Sequence, residues 1–392
     1  MSTFLIDQAT VRTALPVLVC IALAGCSGSE TTRTEPMRER TPPVRPLATL
    51  YLSEANQIVQ EAVGVRRSVV LRDASLSGRA VRSPADDRVA FVVESETEAR
   101  LIVLDTGEAS HTVVHSAAAG TGYTMAWSPD GRQLALGFLA VGPDRGGDVL
   151  VYDRLSGAKP LGCTVSTRVV AWPTKTRLVV SDGESMHLVS AEDCTTIHSI
   201  DARKMHDVTV SPDGSKMAYI FRDLVYNRQR RAYDPDSSLF LSDIDGTNVE
   251  TIVGYRYRPR NMTWSSDGSA LAFDVDSQEE PRRRLISVYD LGTSQSVYLN
   301  PGSTEYSETR PLWAPGGADV AFQRAGPAGN PEACVRRTGE NFVRVLGSGV
   351  LEGWVSETLV LVRAPGDSLV LVTAEAEEVA RMRGPAALIA GR

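Results

Sequence analysis

Seven copies of one short pattern, starting at residues 82, 127, 172, 210, 264, 313 and 354, predict an all-β fold: a single β-propeller of four-stranded blades. Three observations carry the prediction. All five tryptophans occupy one place in the pattern, at the end of an apolar strand and just before a turn. The copies lie 38 to 54 residues apart, the length of four short strands with their turns. No long stretch shows the 3.6-residue apolar period of a helix. Seven starts give seven blades, with six or eight as the alternatives.

The first element from the N-terminus is not part of the propeller. An apolar run from Ala14 to Ala22 follows the single basic Arg12; it is too short to span a bilayer and is laid out like a secretory signal, residues 1–25. It ends in Leu23-Ala24-Gly25-Cys26, which resembles the bacterial lipobox. That resemblance implies cleavage before Cys26 and lipidation of its sulfur, and two or three acyl chains anchor stably where one is marginal. Ser27 stands where an aspartate would signal inner-membrane retention. The expected location is therefore extracytoplasmic, on a lipid anchor, and in the outer membrane of a diderm host. Residues 26–46 are rich in Ser, Thr, Pro and charge, so they read as a disordered tether, with a span of about 25 Å. Residues 47–78 hold two β-rich runs, Thr49-Leu50-Tyr51-Leu52 and Ser68-Val69-Val70-Leu71. They read as ring-closing strands or as part of an eighth blade. The propeller is assigned to residues 79–392.

Within it the clearest copies are Met125-Ala126-Trp127-Ser128-Pro129-Asp130-Gly131 and Met262-Thr263-Trp264-Ser265-Ser266-Asp267-Gly268. Each runs into a second strand, Leu134-Ala135-Leu136 and Leu271-Ala272-Phe273. Asp-Gly between two apolar strands is a tight-hairpin signal, because glycine accepts positive φ and aspartate bonds nearby N–H groups. The indole is expected to fill the wedge between neighbouring blades. Alanine recurs at the centre of the next strand, at Ala90, Ala135, Ala218, Ala272 and Ala321, where a small residue would let adjacent sheets approach. In phase with these are third strands that close on an acidic residue before a turn, at Asp105, Asp153, Asp243 and Asp290.

The Trp-Ser-Pro-Asp-Gly run followed by a Leu-Ala-Phe-type strand resembles the WD40-like repeat of TolB-type propellers, over most of the chain after the tether. The resemblance implies the fold and leaves function open. TolB-type proteins carry an α/β domain ahead of six blades and partner the peptidoglycan-associated lipoprotein. This chain departs from that plan in its lipobox, its seven starts and the short segment before them.

The formal charge of −7 argues against general nucleic-acid binding. No cofactor or metal is expected. His111 and His115 have metalloprotease-like spacing, but on a strand they stand about 13 Å apart. Asp243-Ile244-Asp245-Gly246 reads as a hairpin turn, since its glycine arrives too early for a calcium loop. No Gly-x-Ser-x-Gly elbow occurs. Counting strand ends puts Cys163 and Cys194 on opposite faces, so buried free thiols are expected there and at Cys334, with a Cys163–Cys194 bridge in a disulfide-permitting compartment as the alternative.

What remains is a cluster of arginines in loops of one face. Arg222, Arg228, Arg230 and Arg231 fall in one loop, Arg256, Arg258 and Arg260 with Tyr255 and Tyr257 in the next, and Arg282, Arg283 and Arg284 in a third. Arginine forks suit carboxylate or phosphate, and Arg with Tyr is interface-like. A solvated rim neutralised by Asp234, Asp236, Asp274, Asp276, Glu279 and Glu280 is the alternative. The function expected is a non-catalytic binding or scaffold module, a monomer recognising an envelope protein or an anionic cell-wall polymer. The competing expectation is a lyase, glycosidase or lactonase with its site at the axial channel mouth. The polar residues Arg168, His206, Asp207, Asn261, Glu308 and Arg310, just before inner strands, would line that mouth.

Overall fold

Short runs of β-branched and apolar residues, broken every few positions by Gly-, Pro- and Asp-rich turns, pair most readily as consecutive antiparallel hairpins. The computed structural model describes residues 48–391 except 55, 73–74, 140–148, 164–167, 228–230, 279–282, 303–304, 338, 341 and 385. The signal segment, Cys26 and the tether lie outside the described residues, as do Arg228, Arg230 and Arg282. Among the described residues there are eight four-stranded sheets and a single short 3-10 turn, Tyr255–Tyr257. No helix among them is long and apolar enough to cross a membrane.

Seven sheets take four consecutive strands each, over residues 75–118, 122–160, 168–201, 205–253, 260–298, 307–348 and 350–383. These are blades 2 to 8, with strands A (inner) to D (outer). Blade 1 is composite. Its outer three strands are Thr49–Glu54, Gln57–Ala62 and Arg66–Arg72, and its inner strand is Ala387–Gly391. The pairing is antiparallel, with Leu50 opposite Gly391 and Leu52 opposite Leu388. Inner strands of consecutive blades touch from blade 1 to blade 7, and blades 8 and 1 meet through theirs, so the sheets form a ring.

The seven-blade expectation is thus corrected to eight. The first blade carries neither a tryptophan nor an Asp-Gly turn, because its inner strand comes from residues 387–391 and no A-to-B hairpin exists there. Counting tryptophan phases could not register it.

The core lies between blades. Each tryptophan packs against its own blade and the one before: Trp127 touches Ala90 and Leu101 of blade 2, and Trp264 touches Ala218 and Leu239 of blade 5. The indole N–H of three reaches back to an inner-strand carbonyl of the preceding blade: Trp127 to Val81 (2.9 Å), Trp313 to Thr263 (3.2 Å) and Trp354 to Leu312 (2.9 Å). Those of Trp172 and Trp264 find no acceptor. The five strand-centre alanines are fully buried, as close sheet approach requires. The acidic strand ends cap C-to-D turns; Asp105 accepts from the N–H of Gly107 (2.9 Å) and Asp290 from that of Thr293 (2.8 Å).

The A-to-B turns also touch across blades, at the lower face. Gly214 has φ +71°, and a Cβ there would overlap the carbonyl of Pro173 in the preceding blade. A Cβ at Gly131 or Gly317 would also come close to a hydroxyl of the preceding blade, that of Ser83 or of Ser266 at 2.8 Å. At these three positions the glycine of the motif therefore serves both the turn and the contact with the preceding sheet, whereas at Gly268 the nearest atom is at an ordinary 3.4 Å.

Cys163 and Cys194 form a disulfide, with Cα atoms 5.2 Å apart, which overturns the face-counting argument. The outer strand Gly157–Pro160 has only four residues. The chain leaves the sheet early and buries Cys163 between blades 3 and 4, beside Val189 and Cys194. Cys334 is a buried free thiol, pushed up to about 12 by burial.

Candidate functional site

The upper face, where B-to-C turns and D-to-A connections emerge, is uneven. In blade 5 the second and third strands, Lys216–Asn227 and Ala232–Asp243, are 12 residues each and stay in register from Lys216↔Asp243 to Asn227↔Ala232. Pairing with the inner strand stops at Phe221, and pairing with the outer strand at Leu239. Beyond these points a two-stranded ribbon projects about 20 Å, at roughly 3.4 Å per residue. The arginine loop expected there is this ribbon: Arg222 lies on its strand, paired with Asp207 at 3.2 Å, and Arg231 is an exposed turn residue with φ +49°. Lys204 pairs with Asp223 (2.8 Å), and Leu224 is 62% exposed.

Next round the ring, the connection into blade 6 carries Tyr255 and Tyr257 in the 3-10 turn. The guanidinium of Arg256 lies 5.7 Å from the Tyr255 ring centroid. Arg258 is left-handed (φ 44°), and its carbonyl accepts from Arg284 at 3.1 Å. Tyr255, Arg256, Arg258 and Arg260 are exposed, and Tyr257 is half-buried.

Arg283 and Arg284 are not surface residues of this kind; both are partly buried. Arg284 is held by the fully buried Asp274, and by Asp276 at 2.7 Å. Arg284 is thereby neutralised, by two of the acids the rim alternative named. Asp274 also accepts from the side-chain amide of Asn261 (2.6 Å) and from the backbone N–H of Arg310 (3.1 Å). One carboxylate thereby ties the inner strands of blades 6 and 7 together.

The six channel-mouth residues are all carried by inner strands, but they divide. Arg168, His206, Asp207, Asn261 and Arg310 are exposed. Asp207, Asn261 and Arg310 have φ of 51°, 52° and 55°, in bulges where the register with the second strand shifts. A bulge re-aims its side chain. Glu308 is fully buried instead; it accepts from Asn300 at 2.9 Å, its other oxygen has no partner, and burial raises its carboxyl above the ordinary range. Arg324, Arg336 and Arg283 lie near enough to lower it in part. Sequence reasoning placed Asp274 only among the acids of a solvated rim; the structure buries it, where it fixes Asn261 and Arg310. The position of Asp274 inside an apolar second strand, Ala270–Asp276, was the available signal.

Among the described residues no three of His, Cys, Asp and Glu are grouped to hold a metal ion. His115 meets Tyr123 at 3.1 Å and packs on Phe138, a ring contact between blades 2 and 3.

No protein-family model matches the chain, and no curated protein sequence matches it. Solved structures do. TolB from Acinetobacter baumannii is 14% identical over 86% of this chain and 80% of its own, with a TM-score of 0.43. The dihydro-heme d1 dehydrogenase NirN is 16% identical over 89% of this chain and 77% of its own, at 0.58. Oligogalacturonate lyase from Vibrio parahaemolyticus is 15% identical over 81% and 92%, at 0.50. At such identities the likeness is one of fold alone. The repeat motif, the sheet topology and the neighbours at a TM-score of 0.50 or above agree on that much: this chain is an all-β propeller of four-stranded blades.

Proposed function

We propose that this protein is an extracytoplasmic, lipid-anchored binding module of the cell envelope. It engages an envelope protein or an anionic cell-wall polymer through the upper face of blades 4 to 7. The observation that carries the reading is the set of exposed arginines on that face, Arg168, Arg256, Arg258, Arg260 and Arg310, none of which has a carboxylate partner among the described residues. They stand beside a ribbon raised off the blade, in a chain of formal charge −7. Exposed guanidinium forks without partners suit an anionic surface. The lipobox resemblance at Cys26 supports the membrane setting, and the Cys163–Cys194 bond is of a kind that persists in oxidising compartments.

The test is a cross-linking capture from membranes, comparing native protein with the variant Arg256→Glu, Arg258→Glu, Arg260→Glu. Loss of the captured partner is expected, and an unchanged capture profile overturns the reading. In parallel, Cys26→Ala should move the protein from the membrane to the soluble fraction.

The competing reading is an enzyme at the channel mouth. Glu308 favours it, as an inner-strand carboxyl held above its ordinary pKa, a state suited to proton donation. It is screened from the opening, however, and the acid nearest the opening, Asp207, is occupied by Arg222.

A further inference from the structure

Four consecutive inner strands, those of blades 4 to 7, set Arg168, His206, Arg260 and Arg310 around one half of the channel mouth, all exposed. Arg168, Arg260 and Arg310 face no carboxylate among the described residues. Of the acids on this arc, Asp207 is paired with Arg222 and Glu308 is fully buried. The other half differs. The inner strand of blade 3, Gly122–Trp127, carries no charge, that of blade 2 holds Arg79 and Arg82, and Glu352 of blade 8 is bonded to Arg363 at 2.8 Å. Among the described side chains, the exposed inner-strand arginines without a carboxylate partner therefore gather on blades 4 to 7, the basic side of the mouth.

Beneath the basic side lies a support that a solvated rim does not need. Burying a carboxylate is costly unless it is paired and hydrogen-bonded. Asp274 is fully buried, and its partners fix the two bulges beside which Arg260 and Arg310 stand. Holding binding groups on rigid, cross-tied strands lowers the entropy lost when a ligand binds.

We infer that this arc is the binding site for a polyanionic chain, one carrying carboxylates or phosphodiesters at intervals, which lies across the basic half of the mouth. The inference rests on the binding role proposed above and names the ligand class. Three guanidiniums distributed over four blades match charges spaced along a polymer, where a compact ion would need them converged.

The experiment measures binding of the full chain to polygalacturonate (carboxylates) and to poly(glycerol phosphate) (phosphodiesters), with inorganic phosphate as the compact ion, at 50 and 200 mM salt. One polymer should bind, and three charge contacts should weaken it by about 20-fold over that salt range. Replacing the arc (Arg168→Gln, Arg260→Gln, Arg310→Gln) should weaken binding by about tenfold at low salt. A charge-matched control away from the mouth (Arg154→Gln, Arg177→Gln, Arg381→Gln) should leave it unchanged, and both triple variants should keep the native unfolding midpoint. Equal losses in the two triples, or displacement of polymer by millimolar phosphate, overturn the inference. If neither polymer binds while the Arg256/Arg258/Arg260 reversal still abolishes partner capture, the ligand class is refuted and the upper-face binding role stands. If the arc binds polymer and that reversal changes no captured partner, the site stands and the broader upper-face reading falls.

Discussion

The turn glycines allow the contact between blades to be weighed separately from backbone strain. In Gly214→Ala the methyl group meets two penalties. At φ +71° an L-residue loses about 1–2 kcal/mol relative to glycine. The new Cβ would also overlap the Pro173 carbonyl and come within 2.7 Å of the Pro173 Cβ. That is backbone against backbone, with no flexible end to move, so overpacking adds about 1–3 kcal/mol. The total is about 2–5 kcal/mol. Gly268→Ala supplies the comparison in the same kind of turn: φ is +72°, but its Cβ would sit 3.4 Å from Pro212, an ordinary contact. Gly64→Ala, at φ +78° with nothing within 4 Å, isolates the backbone penalty. Urea unfolding of the three variants, followed by tryptophan fluorescence, should rank Gly64→Ala and Gly268→Ala together near 1–2 kcal/mol, with Gly214→Ala well below them in stability. Equal stability of Gly214→Ala and Gly268→Ala would refute the claim that the motif glycine is needed for contact with the preceding blade.

Other expectations follow from the same geometry. Trp→Phe at 127, 313 or 354 removes an indole hydrogen bond to the preceding blade, whereas at 172 or 264 there is none to lose. The first group should be destabilised by about 1 kcal/mol more than the second in urea titrations, and a ranking that ignores the division would count against the assignment. Replacing Cys163 and Cys194 by serine opens a link between residues 31 apart, worth about 3–4 kcal/mol by the chain-entropy relation; reductant should shift the native midpoint in the same direction and leave the serine variant alone. Glu308 has a folded pKa raised above its ordinary 4.5 by burial, so the folded state binds its proton more tightly than the unfolded chain. Its contribution to stability is present below about pH 4.5 and is lost as pH rises through the folded value. Glu308→Gln should flatten that limb of the stability–pH curve, and an unaltered slope would show the carboxyl to be ionised already.

Most of the fold was legible because the inner three strands of a blade repeat one physical problem. An indole must fill the wedge, a small residue must let sheets approach, and a tight turn must end the first hairpin; Trp127, Ala135 and Gly131 announce all three. Blade 1 lacked that signal, since its hairpin is interrupted and its apolar residues, Leu50 to Leu52, read equally well as a lone closing strand. The disulfide was missed because alternation along strands says which face a turn emerges on, but not how soon a strand ends; Pro160 ends one after four residues. At the mouth, residue types and strand positions were readable and pairing was not. Arg284 and Arg310 look alike in sequence, yet one is spent on Asp274 and Asp276 while the other is left open to solvent. Only the packing of Asp274 tells them apart.

The composite blade has a consequence for how the molecule is made. Synthesis delivers residues 49–72 first and their inner partner, residues 387–391, more than 300 residues later, so the sheet begun earliest is completed last. Until then the Leu50–Leu52 edge offers bare backbone donors and acceptors flanked by apolar side chains, an invitation to pair with any passing strand. A newborn chain stalled or clipped before Ala387 would keep that edge open, and a holding chaperone would be the natural guard for it.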